Sequence, residues 1–155
     1  MLVPTPEFPT PVDESQPPFK NLRFLIVDDN PDGRFLVSKT LLRKFPKSTI
    51  VECQTGEAAL PIVEQEKLSL IVAHRTYEYD GTTLVRELRA RNASVPILMM
   101  SGINREEVAT AAGANAFLTY EEWLLVGNHV ASLLAQTAEA QSDRRCSTLT
   151  PATSR

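Results

Sequence analysis

The stretch Leu22-Arg23-Phe24-Leu25-Ile26-Val27-Asp28-Asp29-Asn30-Pro31 decides how the rest of the chain is read. A nearly unbroken apolar run of this length suits a strand buried on both faces, as parallel strands are. The run stops at two adjacent carboxylates, and Pro31 then fits the first position of a helix, where a missing N–H costs nothing. Val37, Leu41 and Phe45 follow at four-residue spacing and mark one apolar helix face.

The same alternation recurs along the chain. Thr49 to Cys53 reads as a second strand, and Gly56 to Glu66 as a helix that Pro61 should kink by removing one backbone donor. Leu68 to Ala73 reads as a third strand, and Thr82 to Ala90 as a helix with Leu84, Val85 and Leu88 inward. Pro96 to Met100 reads as a fourth strand. After it, Asn104 as N-cap and Glu107 as its reciprocal acid open a helix that ends at Gly113. Ala116 to Thr119 closes the strand series. Glu121 and Glu122 then suit a helix N-terminus, and Trp123, Val126, Val130, Leu133 and Leu134 form a stripe ending near Ala138. Five such strand-helix pairs predict a doubly wound α/β fold, with chemistry at the carboxyl ends of the strands, near Asp28, Asp29, His74 and Ser101.

The ends differ in composition. Residues 1–20 carry Pro4, Pro6, Pro9, Pro11, Pro17 and Pro18 and read as a disordered proline-rich tail. Residues 139–155, rich in Ser, Thr and Ala, read as a second disordered tail, leaving 21–138 as the folded domain. No further domain is expected after the last helix, so any effect passes through a partner.

The 155 residues carry a formal net charge of -3, with the basic residues scattered, which argues against a nucleic-acid partner. The longest apolar runs are too short to span a bilayer, and no signal segment is evident, so no membrane partner and a cytoplasmic location are expected. Cys53 and Cys146 form neither a disulfide framework nor a metal cluster, and read as a core thiol and a solvent-exposed thiol.

Several separate features in one order then resemble the receiver domain of two-component response regulators over residues 21–138. Phe24 to Asn30 is similar to its first strand with the acidic pair, and Gly56-Glu57-Ala58-Ala59-Leu60 to the start of its second helix. Asp80-Gly81 resembles the opening of the third helix. Ile97-Leu98-Met99-Met100-Ser101-Gly102 resembles the fourth strand with its hydroxyl residue, and Ala112 to Phe117 the turn into the fifth. The resemblance implies a flavodoxin-like sheet of five parallel strands in the order 2-1-3-4-5. It also implies a phosphoacceptor carboxylate at the end of the third strand, a magnesium ion on the acidic pair and a lysine on the fifth strand.

Two of those parts have no match here. Counting forward from Gly56 puts His74 at the acceptor position, and counting back from Asp80 puts Ala73 there. Tyr120 matches the lysine, and Glu121 the proline that follows it. Without an acceptor carboxylate magnesium loses an oxygen ligand, so no cofactor is required and magnesium at Asp28 and Asp29 would bind only weakly. Arg75 could replace it as an internal ion pair with Asp28. Ser101 and Phe117 match the residues that follow phosphate in the family; without phosphate they read as a strand-end hydroxyl and a core ring. His129 reads as lying on a solvated helix face. Tyr77 and Tyr79 suit either an exposed aromatic patch or packing of their loop.

The expected function is therefore a non-enzymatic, stand-alone receiver acting by protein contact. Its partners would be a histidine kinase, a downstream regulator, or a second copy docked through the fourth helix, fifth strand and fifth helix. The alternative is a phosphocarrier using His74 as acceptor with a metal at Asp28 and Asp29. A shifted register that brought Glu78 within in-line reach would restore an ordinary phosphorylated switch.

Overall fold

The computed structural model describes residues 10–149, with side chains described through Ala140. Five strands, β1 (Arg23–Val27), β2 (Thr49–Cys53), β3 (Leu70–Ala73), β4 (Ile97–Ser101) and β5 (Ala116–Thr119), form one sheet in the order β2-β1-β3-β4-β5. All its pairings are parallel. Between them run α1 (Pro31–Lys44), α2 (Gly56–Gln65), α3 (Gly81–Arg91) and α4 (Glu106–Ala112). A 3-10 turn at Tyr120–Leu125 leads from β5 into α5 (Val126–Leu149). The expected five-stranded doubly wound order is the order found.

Strand alternation divides the core in two. Leu25, Val27, Ile71, Ala73, Ile97 and Met99 pack with Ala59, Val63, Leu84, Leu88 and Ala109 from α2, α3 and α4. Phe24, Ile26, Leu70, Val72, Leu98, Met100 and Leu118 pack with Val37, Leu41, Val126, Val130 and Leu134 from α1 and α5. The helix stripes read from the sequence are thus the buried faces.

Local signals account for most helix starts. Asn30, Thr55 and Asp80 cap α1, α2 and α3, each accepting a hydrogen bond from a backbone N–H of the first turn. At α4 the expected Asn104–Glu107 box does not form: the helix starts at Glu106, and Asn104 Oδ1 accepts from Glu106 N at 3.1 Å. Its other end is as expected, with Gly113 at φ 115°, a left-handed conformation that costs a side-chain-bearing residue more than glycine. α2 runs as one element through Pro61.

Parts of both segments expected to be disordered tails carry structure in the described residues. Residues 10–20 lie against the domain: Val12 N donates to Lys44 O at 3.0 Å, Lys47 N donates to the Glu14 carboxylate, and the Phe19 ring sits 5.9 Å from that of Phe45. The segment runs through turns from Glu14 to Asn21, one of them closed by Phe19 N donating to Gln16 O at 2.9 Å, and its prolines lower the entropy lost on ordering it, while Val12 and Phe19 supply apolar cover that proline content alone did not reveal. At the other end α5 continues to Leu149, past the expected stop near Ala138. No glycine or proline interrupts Ala138 to Leu149, and Ala, Glu, Gln and Arg are good helix formers. Residues 1–9 and 150–155, and the side chain of Cys146, lie outside the described residues. Among the described residues no helix is long and apolar enough to cross a membrane.

Candidate functional site at the carboxyl ends of the strands

The α1/α5 face of the sheet continues upward by two residues in each of three strands: Ile26 leads to Asp28, Val72 to His74, and Leu118 to Tyr120. The register Val27↔Ala73 puts His74 level with Asp28, and His74 N donates to Val27 O at 2.9 Å. Ala73 is fully buried in the opposite core layer, so of the two residues left open by spacing, His74 faces the acidic pair.

Asp28 is 2% exposed, and both its carboxylate oxygens are occupied. Oδ1 accepts from Asn30 N at 3.0 Å and pairs with His74 Nδ1 at 3.1 Å, while Oδ2 accepts from the Tyr120 hydroxyl at 2.9 Å. Burial, the largest single influence, pushes the Asp28 carboxyl up; the hydrogen bonds from His74, Asn30 and Tyr120 outweigh it and hold the group below the ordinary Asp range. A carboxylate only accepts, so the proton of the His74 contact is assigned to Nδ1. The Tyr120 phenol is pushed strongly up, first by burial and then by the Asp28 charge, and therefore stays a donor. The His74 and Tyr120 rings lie 4.7 Å apart and close the cluster.

Space for Tyr120 comes from Gly33 in the first turn of α1. A Cβ there would come within 1.6 Å of the Tyr120 hydroxyl and 2.6 Å of Asp28 Oδ2. The backbone adds a tie, since Arg34 Nη1 donates to Asp28 O at 2.6 Å. Reading the strand ends alone missed Gly33 and Arg34; a glycine within an otherwise ordinary first helical turn was the available signal.

The expected Asp28–Arg75 ion pair is absent, and His74 takes that place. Arg75 holds the site through its backbone, its carbonyl accepting from Asp29 N at 3.0 Å. Ser101 Oγ accepts from Ile103 N at 3.4 Å, and Phe117 is partly buried against the α2/α3/α4 layer. Glu78 is tied to the start of α2, its Oε2 accepting from Gly56 N at 3.3 Å. The loop tyrosines divide: Tyr77 is 95% exposed, whereas the Tyr79 ring lies over Gly56. His129 is partly buried.

A magnesium ion needs several oxygen ligands, and the residues present do not supply them. Asp28 is already engaged on both oxygens, β3 ends in an imidazole, and Asp29 is left as a lone carboxylate. Among the described residues no group of three or more His, Cys, Asp or Glu side chains is arranged to hold a metal.

A five-stranded doubly wound sheet with an acidic pair after β1 and a polar cluster across the ends of β1, β3 and β5 defines the class of domain. The model of the response regulator receiver domain family matches residues 24–120, and the chain belongs to that family. It is 28% identical over 101 residues to the transcriptional regulatory protein ZraR of Escherichia coli K12, a match covering 64% of this chain and 22% of ZraR. The chain thus spans about a fifth of that relative. In structure it is similar to a CheY-like receiver domain protein from Methanospirillum hungatei JF-1, with a TM-score of 0.66, 19% identity and coverage of 78% of this chain and 99% of that one. It is also similar to the Francisella response regulator 1452 receiver domain, with a TM-score of 0.61, 21% identity and coverage of 76% and 99%.

Proposed function

We propose that this receiver domain is a pseudo-receiver: it transmits a signal by protein contact, does not accept phosphate, and performs no catalysis of its own. The observation that carries this reading is the closed Asp28–His74–Tyr120 cluster. Phosphoryl transfer needs an in-line nucleophile, a metal on the equatorial oxygens and a cation against the developing charge. Here an imidazole stands at the end of β3, and a neutral phenol stands after β5. The phenol occupies one of the two Asp28 carboxylate oxygens, and a hydroxyl does not carry the charge of an ammonium.

Receiver domains in general work with histidine kinases and downstream effectors. For this chain the partner would be one of those or a second copy. Val108 on α4 and Leu124 and Leu125 in the turn after β5 are exposed apolar side chains on the elements that flank β5, which supports docking on that side. The competing reading, His74 as phosphoacceptor over a metal at Asp28 and Asp29, has to break the His74–Asp28 contact and free an Asp28 oxygen.

Intact-mass analysis after incubation with a small-molecule phosphodonor and magnesium tests the proposal. The expected result is an unchanged mass; a gain of one phosphoryl group that disappears in His74→Ala would establish the competing reading instead.

A further inference from the structure

β2 is an outer strand of the sheet, with β1 as its neighbour. Thr49 N donates to Leu22 O, and Cys53 O accepts from Asp28 N, so Thr49, Val51 and Cys53 turn their backbone groups toward β1. Successive residues of a strand point these groups to opposite sides. Ile50 and Glu52 therefore hold theirs outward, where among the described residues no hydrogen bond reaches them. Such an edge is a template for another strand unless a proline, a lysine, a bulge or a covering loop blocks it. Thr49-Ile50-Val51-Glu52-Cys53 contains no proline or lysine, and its register with β1 runs unbroken from Arg23↔Thr49 to Val27↔Cys53. The one charge on the strand, Glu52, is offset by Arg34, whose Nε lies 3.6 Å from its Oε1.

The outward residues flank Val51 symmetrically, and this symmetry names the occupant. A second β2 laid antiparallel, with the two-fold axis through Val51, sets Ile50 of each copy opposite Glu52 of the other. Both members of each such pair have free outward groups, so they exchange both N–H···O bonds. Val51 then faces its own counterpart and Thr49 faces Cys53, a register that puts no two like charges directly opposite. Moving the axis to Glu52 would set two carboxylates face to face. The other sheet edge, at β5, suits a second copy less well. Glu106, Glu107, Glu121 and Glu122 stand on the elements beside it, and identical acidic surfaces repel each other. That side is left for a partner of another kind.

We propose that two copies of this chain associate through β2, pairing antiparallel about Val51 and joining their sheets into one continuous sheet. A pair of five-residue strands is a small contact, so the association is reversible and concentration-dependent. This goes beyond the contact-signalling reading and fails separately from it. A chain that stays monomeric overturns the β2 pairing and leaves the expected unchanged mass after phosphodonor treatment untouched.

The test is size-exclusion chromatography with light scattering on the full chain, at concentrations up to about 0.5 mM. The mass is expected to rise with concentration from that of one chain toward that of two. Ile50→Pro deletes an outward N–H and spares the bonds to β1, so it should weaken association at least about tenfold while circular dichroism shows the fold retained. A second variant gives a readout that does not depend on that one folding. In a Cys146→Ser background, Val51→Cys is expected to form a disulfide-linked dimer under mild oxidation. Residues facing each other at a non-hydrogen-bonded antiparallel position have Cα atoms about 4.5 Å apart, within disulfide reach. A monomer at every concentration, association that persists undiminished in folded Ile50→Pro, or a Val51→Cys chain that does not cross-link overturns the proposal.

Discussion

At the scale of single residues, Asp28 governs the carboxyl end of the sheet. A carboxylate so deeply buried is tolerable only when its oxygens are paired, and here a backbone N–H, an imidazole and a phenol pair them. Because the folded state holds its pKa below the ordinary Asp value of about 4, its ionised form stabilises the fold at pH above that value. The contribution is lost as pH falls through the folded-state value. Asp28→Asn is therefore expected to cost about 1–3 kcal/mol near pH 7, with the deficit shrinking below about pH 4. Urea denaturation across pH checks this, and a deficit that stays constant from pH 7 to pH 3 would contradict it. Tyr120 and Gly33 belong to the same unit: the ring reaches Asp28 only because α1 offers no side chain at that turn.

At the scale of elements, the segment before β1 has more structure than its prolines suggest. Val12 and Phe19 extend the α1/α5 core layer, with Phe19 packing on Phe45 where α1 ends and Phe24 meeting Phe45 edge-on at 5.2 Å. Phe19→Ala should lower stability by about 1–3 kcal/mol, since the ring is only partly buried and leaves Phe45 newly exposed to water. Chemical denaturation of the two proteins measures the difference; identical midpoints would mean that the segment does not pack in solution. Arg89 plays a comparable tying role on the far side, donating to Gly113 O, Val95 O and Asn115 Oδ1, and so joining the end of α3 to the turns around β4 and β5.

At the scale of the whole molecule, the proposed pseudo-receiver gains nothing from phosphate at the closed Asp28–His74–Tyr120 cluster, whose side chains already pair with one another. A ligand moves an equilibrium only through different affinities for its two states. The association state of the protein is accordingly expected to be the same with and without phosphodonor and magnesium, as read by size-exclusion chromatography with light scattering. A shift in mass on phosphodonor treatment would show a working switch and end the contact-only reading.

The sequence by itself determined the architecture, because a parallel sheet covered on both faces demands apolar strands and amphipathic helices in strict alternation. Leu22 to Val27, Leu70 to Ala73 and Ile97 to Met100 show that demand directly. It also located the polar strand ends, since Asp28, Asp29 and His74 interrupt apolar runs. Which of Ala73 and His74 meets the acidic pair was a matter of strand register, which local spacing left open and the Val27↔Ala73 pairing resolved. The same holds for the partner of Asp28. Tyr120 and Gly33 are far apart in the chain, and only the packing of α1 against the turn after β5 brings the phenol over the glycine, to a carboxylate for which the sequence had offered Arg75 as one partner among others. Periodicity encodes which face a residue takes, but long-range side-chain pairing depends on how the layers stack, and so it belongs to the tertiary structure.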